Sequence, residues 1–128
     1  MTYLLDTHAL LWFASSSPML PDSMRSLIAD ANNDVAVSIA SYWEIAIKAK
    51  LGKLTVESDI IALRNLALNQ NIQIEPITIE AVHHTTMLPL HHKDPFDRII
   101  AATALVTGAT LVSADAAFDA YSVTRVWG

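Results

Sequence analysis

The feature that most limits what this chain can fold into is an alternation. Short apolar, β-branched runs take turns with longer stretches of helical periodicity. "TYLLD" reads as a buried strand ending at Asp6, "DVAVSIA" as a strand over Val35 to Ile39, and "IQIEPI" as an alternating strand. "ATLVSAD" reads as a buried strand ending at Asp115, and "YSVTRVWG" as a last strand. Between them "THALLWFA", "PDSMRSLIADA", "SYWEIAIKAKLGKL", "SDIIALRNLALNQN", "TIEAVHHTTM" and "PFDRIIAATAL" read as helices. Parallel neighbours need a crossover, and helices supply it, so this alternation predicts a doubly wound α/β fold with helices on both faces of a parallel sheet. The chain has 128 residues, no internal repeat and no linker. One domain over residues 1–128 suffices.

The helix ends carry their own signals. Pro21 opens one helix, Gly52 closes another, and Ser58 or Asp59 caps the next. Thr78 caps the helix that Pro89 stops. In "HHKDPFDRIIAATAL" Asp94 is a natural N-cap, Pro95 suits the first helical position, and Gly108 falls where the chain leaves the helix. Asp97 then lies in the first turn, where the helix dipole favours an anion.

Charge and composition exclude several classes. A net charge of −5 argues against a general nucleic-acid coat, which needs a basic face, but not against an enzyme that acts on nucleic acid. Without cysteine there is neither a disulfide nor a thiolate metal site. No apolar run approaches the ~20 residues of a spanning helix, and "MTYLLDTHALLWF" lacks a basic leader, so a cytoplasmic location without a membrane partner is expected. Hydrophobic residues make up 52%. That fraction, with "LLWF" and "SYWEIAI", predicts more apolar surface than one core needs. A homodimer and an apolar groove for a partner segment are the expected uses.

Four acids recur near predicted strand ends or helix starts: Asp6, Glu44, Asp97 and Asp115. In open α/β sheets ligands bind beyond the carboxyl ends of the strands, and all four can converge there. Each also has a plain structural use. Asp6 can cap the following helix, Ser41 and Glu44 have capping-box spacing, Asp97 can serve the helix dipole, and Asp115 can sit in a turn. Together they repel one another unless a cation compensates, and an all-oxygen ligand set suits Mg²⁺ or Mn²⁺ rather than zinc. The pairs His83–His84 and His91–His92 are adjacent, so their side chains diverge, and they read as solvated rather than metal-binding. His8 lies close enough in sequence to Asp6 to touch a substrate phosphate, and a purely structural role fits it equally. Lys48, Lys50 and Lys53 read as a solvated edge near Gly52, and Trp43 reads as core.

The ordered set "LLDTHALLW", "SYWEIAIKAKLGKL", "HHKDPFDRIIAATAL" and "TLVSADAAFDAY" resembles the PIN-domain ribonucleases, and within them the VapC-type toxins of toxin–antitoxin pairs. The resemblance runs the length of the chain. It implies a PIN-like sandwich with a five-stranded parallel sheet and an endoribonuclease that needs Mg²⁺ or Mn²⁺ and cleaves RNA phosphodiesters with an activated water. It implies Asp6 and Asp97 as the most direct metal ligands, with Glu44 and Asp115 acting directly or through water. Ser113 matches a small-hydroxyl position two before the fourth acid and is implied to touch substrate or to support an acid. Arg98, in "DPFDR", is implied to pair with an acid or touch RNA, and Asp94 to be structural. The partners it implies are an RNA substrate and a VapB-type antitoxin. Two other classes compete. An aspartyl phosphatase would want Asp-x-Asp after the first strand, and a receiver-type phosphoacceptor a paired acid there; "LLDTHA" offers neither. A catalytically silent binding module would not need the full acid quartet.

Overall fold

Leu4 and Leu5 are neighbours, both are buried, and they enter different cores. Successive strand residues point to opposite faces, so this pair alone requires a sheet covered on both sides. The computed structural model describes residues 2–90 and 94–128, and shows such a sheet. Its strands are β1 (Thr2–Leu5), β2 (Asp34–Ser38), β3 (Ile72–Glu75), β4 (Thr110–Val112) and β5 (Arg125–Val126). All pairings are parallel, in the order β3-β2-β1-β4-β5.

The helices are α1 (Thr7–Ala14), α2 (Asp22–Ala29), α3 (Ile39–Lys50), α4 (Ile60–Asn69), α5 (Ile79–Thr85) and α6 (Pro95–Thr107), followed by a 3-10 helix, Ala116–Tyr121. On one face Leu5, Val35, Val37 and Val112 meet Ala9 and Leu10 of α1, Met24 and Ile28 of α2, Ile45 of α3 and Leu63 of α4. On the other face Leu4 and Leu111 meet Ala81 of α5, Ile100, Ala101 and Ala104 of α6, and Phe118 and Tyr121 of the 3-10 helix. The expected doubly wound architecture is therefore present. Among the described residues no helix is long and apolar enough to cross a membrane.

Most expected helix ends hold. Asp59, Thr78 and Asp94 each accept a backbone N–H as N-caps. Gly52 and Gly108 take positive φ, +72° and +71°, where the chain turns out of α3 and α6. Three boundaries differ. α3 starts at Ile39 instead of after it, because Ser38 caps it by accepting the Ala40 N–H at 3.0 Å. β4 ends at Val112, three residues before Asp115: the Ser113 N–H still reaches the Val126 carbonyl at 3.3 Å, but the Asp115 N–H turns to a side chain, Ser113 Oγ. α5 ends at Thr85, ahead of Pro89. The His91–His92 pair lies outside the described residues.

Chain order explains why this sheet has a site. From central β1 the chain builds outward through β2 to β3, then returns to the other side of β1 as β4 and β5. The direction of building reverses between β1 and β4. At such a switch point adjacent loops diverge to opposite faces and leave a crevice at the strands' carboxyl ends.

Candidate active site

Asp6 follows β1 directly at that crevice. Its backbone N–H donates to the Val112 carbonyl at 3.1 Å, which prolongs the β1–β4 ladder by one bond. Its side chain is then committed twice. Oδ1 accepts the Ala9 N–H at 2.8 Å and caps α1. Oδ2 accepts the Ser113 hydroxyl at 2.5 Å. Ser113 is fully buried, and its Oγ also accepts the Asp115 N–H at 3.0 Å. One hydroxyl thus locks the acid after β1 to the turn after β4. Asp115 is exposed and caps the 3-10 helix through the Ala117 N–H at 2.9 Å. Burial raises the Asp6 carboxyl above the usual carboxylate range. The bonds from Ser113 and Ala9 and the nearby His8 oppose that shift, and the negative Asp115 adds to it.

A second acidic group faces this one. Glu44, 3% exposed, comes from the second turn of α3. Because α3 begins at Ile39, Ser41 is inside the helix, and the capping-box reading of Ser41 and Glu44 is wrong. Ser41 and Glu44 instead both meet Thr7. The Thr7 hydroxyl donates to Glu44 Oε1 at 2.5 Å and shares a hydrogen bond with Ser41 Oγ at 3.0 Å. Thr7 is the residue after Asp6, so it joins the two groups through one peptide. The other Glu44 oxygen is held by the Lys48 ammonium one turn along α3. Lys48 Nζ also lies 3.6 Å from Asp94 Oδ2. Burial works against the Lys48 charge, but the bond to Glu44 and the charges of Glu44, Asp94 and Asp97 outweigh it, so its pKa stands above the ordinary lysine value.

Glu44, Asp94 and Asp97 each offer a carboxylate oxygen, and these oxygens lie within 4.8 Å of one another. Asp94 is thus more than a cap. One of its oxygens accepts the Phe96 N–H at 2.8 Å and starts α6, and the other turns to the acidic group. The quartet read from sequence divides into Asp6 with Asp115 and Glu44 with Asp97, and Asp94 joins the second pair. The donors of that group are carboxylate oxygens throughout, a set that fits a hard divalent cation.

Arg98, Trp43 and Lys48 depart from their expected places, while His8 and Ser113 lie by Asp6. Arg98 does not face the acids. Its guanidinium donates to the carbonyls of Pro89 at 2.8 Å, Thr85 at 2.6 Å and Leu88 at 3.4 Å. It satisfies the open C-terminal end of α5 and ties it to α6. Trp43 is not core; it is 59% exposed and meets Phe96 edge to face, with ring centroids 5.5 Å apart. Lys48 is not part of a solvated edge. His8 is exposed, beside Asp6, and leans on Trp12 at 5.4 Å. Ser113 is enclosed behind Asp6, which suits holding that acid rather than touching a substrate. Sequence reasoning missed Thr7 and Lys48. The Glu44–Lys48 spacing of four was a legible helical ion-pair signal. Nothing local in "DTHA" announces that Thr7 reaches a residue 37 positions away.

The sequence matches the PIN domain family over residues 3–123. It is 29% identical over 116 residues to Ribonuclease VapC22 of Mycobacterium tuberculosis, a match covering 89% of this chain and 87% of that one. The fold is similar to a chain of VapBC2 from Rickettsia felis, solved bound to a DNA fragment from its promoter, with TM-score 0.75, 19% identity and full coverage of both chains. It is also similar to a chain of VapBC-1 from nontypeable Haemophilus influenzae, with TM-score 0.66, 20% identity and 98% and 97% of the two chains covered.

Proposed function

The chain belongs to the PIN domain family, and on that premise we propose that it is a divalent-metal-dependent endoribonuclease and the toxin of a VapBC-type pair. One observation carries the reading. Two separately buried acids, Asp6 and Glu44, are each held by a hydroxyl at the sheet's switch point, with Asp94, Asp97 and Asp115 beside them. A fold does not bury two carboxylates next to other acids for stability, since each costs desolvation and repels its neighbours. A site that binds a cation recovers that cost on binding.

Glu44, Asp97 and Asp94 would hold the cation on one side and Asp6 on the other, with Asp115 acting directly or through water. Mg²⁺ and Mn²⁺ both suit these donors. When bound, the ion supplies Lewis acidity at the phosphate and an acidified water. The protein residues do the rest. Ser113 and the Ala9 N–H fix both oxygens of Asp6. Thr7 fixes Oε1 of Glu44, which leaves Oε2 as its exchangeable oxygen. Hydrolysis with departure of the 3′ oxygen leaves 5′-phosphate and 3′-hydroxyl ends. The RNA rests against the exposed rim, where His8 is available to a phosphate. A cytoplasmic location follows from an RNA substrate.

Two protein partners complete the proposal. The first is an antitoxin segment in an apolar cleft of about 330 Å³ between α1 and the α3–α4 connection, lined by Leu11, Trp12, Leu54, Val56 and Leu63. His8 forms its end nearest Asp6, so an occupant there would obstruct the site. The second is another copy of the chain, for which exposed Ile79, Met87, Leu90 and Trp43 are the motive. The test is incubation of the purified, partner-free protein with cellular RNA in Mn²⁺ or Mg²⁺, followed by sequencing and end analysis of the fragments. New 5′-phosphate ends at defined sites are expected. Intact RNA in both metals, from a protein that still binds them, would instead favour a silent binding module.

A further inference from the structure

We infer that Lys48 is a resident counter-cation of this acidic centre, and that a divalent ion enters by taking Glu44 from its ammonium. The inference rests on the metal-centre reading above and adds a residue to it. Three observations carry it. First, the Lys48 ammonium sits on Glu44 Oε2, the oxygen that Thr7 leaves uncommitted. Second, the same ammonium is 3.6 Å from Asp94 Oδ2 and feels the charge of Asp97. It therefore addresses the same three carboxylates whose oxygens lie within 4.8 Å of one another. Third, the lysine is on the same helix as Glu44, one turn later, so its stem reaches the group without any loop having to move.

An ammonium and a divalent ion cannot both occupy those oxygens. Without metal, Lys48 offsets the repulsion among Glu44, Asp94 and Asp97 and keeps Glu44 aimed at the crevice. With metal, it must withdraw toward the solvent, which its partly exposed flexible stem permits. Its charge then stays within a few ångströms of the ion and opposes it. Lys48 is thus a positioning residue whose presence weakens metal affinity. A purely structural lysine gives the opposite expectation: its loss would misplace Glu44 and weaken binding.

The experiment is calorimetric titration of metal-stripped full-length protein with Mn²⁺, for wild type, Lys48→Met and Lys48→Arg. We expect Lys48→Met to bind Mn²⁺ about tenfold more tightly than wild type, the scale of one unit charge about 6 Å from a divalent ion in water. Lys48→Arg, which keeps the charge, should stay near wild type. Equal or weaker binding by Lys48→Met overturns the inference, and so does Lys48→Arg binding as tightly as Lys48→Met. If Lys48→Met does not fold, NMR of the wild-type lysine ammonium and Cε signals on addition of Mg²⁺ replaces it. The Lys48 signal, assigned by its loss in Lys48→Arg, should shift selectively, and an unmoved signal at saturating Mg²⁺ overturns the inference. Absence of Mn²⁺ binding in wild type and Lys48→Met alike overturns it together with the metal centre. The ribonuclease reading is scored separately: a protein that shows the affinity pattern but leaves RNA intact keeps the exchange and loses the enzyme.

Discussion

The Asp6 side chain has two structural ties, to the Ala9 N–H and the Ser113 hydroxyl, and its burial and its support have measurable consequences. Its carboxyl is raised by burial, so the charged form is disfavoured in the metal-free protein. With the folded pKa above the unfolded one, stability is lost as pH rises through the folded value and regained as pH falls back through it. The urea stability of wild type measured in EDTA should therefore gain on Asp6→Asn as pH drops from 7.5 to 5 (about the range above an ordinary carboxylate). At pH 7.5 Asp6→Asn should be at least as stable as wild type, while Mn²⁺ should stabilise wild type more. A constant difference across pH would remove the burial argument. Ser113→Ala tests the support beneath. It deprives a buried carboxylate of a hydrogen bond, so it should cost about 1–3 kcal/mol in denaturant melts. It should also lower metal-dependent cleavage by roughly 10–100-fold, the scale for a residue that orients a ligand. Asp6, Glu44, Asp97 and Asp115 were legible as residues because acids near strand ends and helix starts are visible in a string. Asp94's second role was not, because its capping role already explained it. Thr7 was invisible because its partners come from another element.

The elements show why one residue of register matters. Ser38, not a later residue, caps α3, and the whole helix starts a turn earlier relative to "SYWE" than a capping box would need. That places Ser41 and Glu44 on the inner face and turns Trp43 out over Phe96. Alternation and turn chemistry located β1, β3, α4 and α6 well, since each begins or ends at a residue with one strong local preference. They failed at the end of β4, where a side chain takes over from the ladder. α3 also carries a loose end. Among the described residues the buried Tyr42 hydroxyl has no hydrogen-bond partner, and burial raises its pKa. Tyr42→Phe should therefore leave stability unchanged or raise it by up to about 1 kcal/mol, against the usual loss for a core substitution. A clear fall in the melting temperature would mean that the hydroxyl has a partner, such as an ordered water.

At the scale of the molecule, the alternation of strands and helices was enough to predict the sheet and its two covered faces. Strand order was not readable from alternation, because β4 could pair with either edge; the family resemblance implied five parallel strands but not their order. That order is what creates the crevice, by returning the chain to the free side of β1. The apolar surplus in the composition has a visible counterpart in exposed Ile79, Met87 and Leu90. Light scattering at tens of micromolar, about the concentration where a standard-size interface persists, should give twice the chain mass, and a monomer there would remove the homodimer from the account. The central claim, that these acids form a metal-dependent nuclease centre, is tested most directly by one cleavage measurement. Wild type and Asp97→Asn are incubated with the same RNA in Mn²⁺, with EDTA controls. Wild type should cut, EDTA should stop it, and Asp97→Asn should be slower by about 10²-fold or more, the scale for losing one charge-stabilising group. Cutting that persists under EDTA, or an Asp97→Asn protein as active as wild type, would contradict the claim and leave Asp97 as the first turn of a helix.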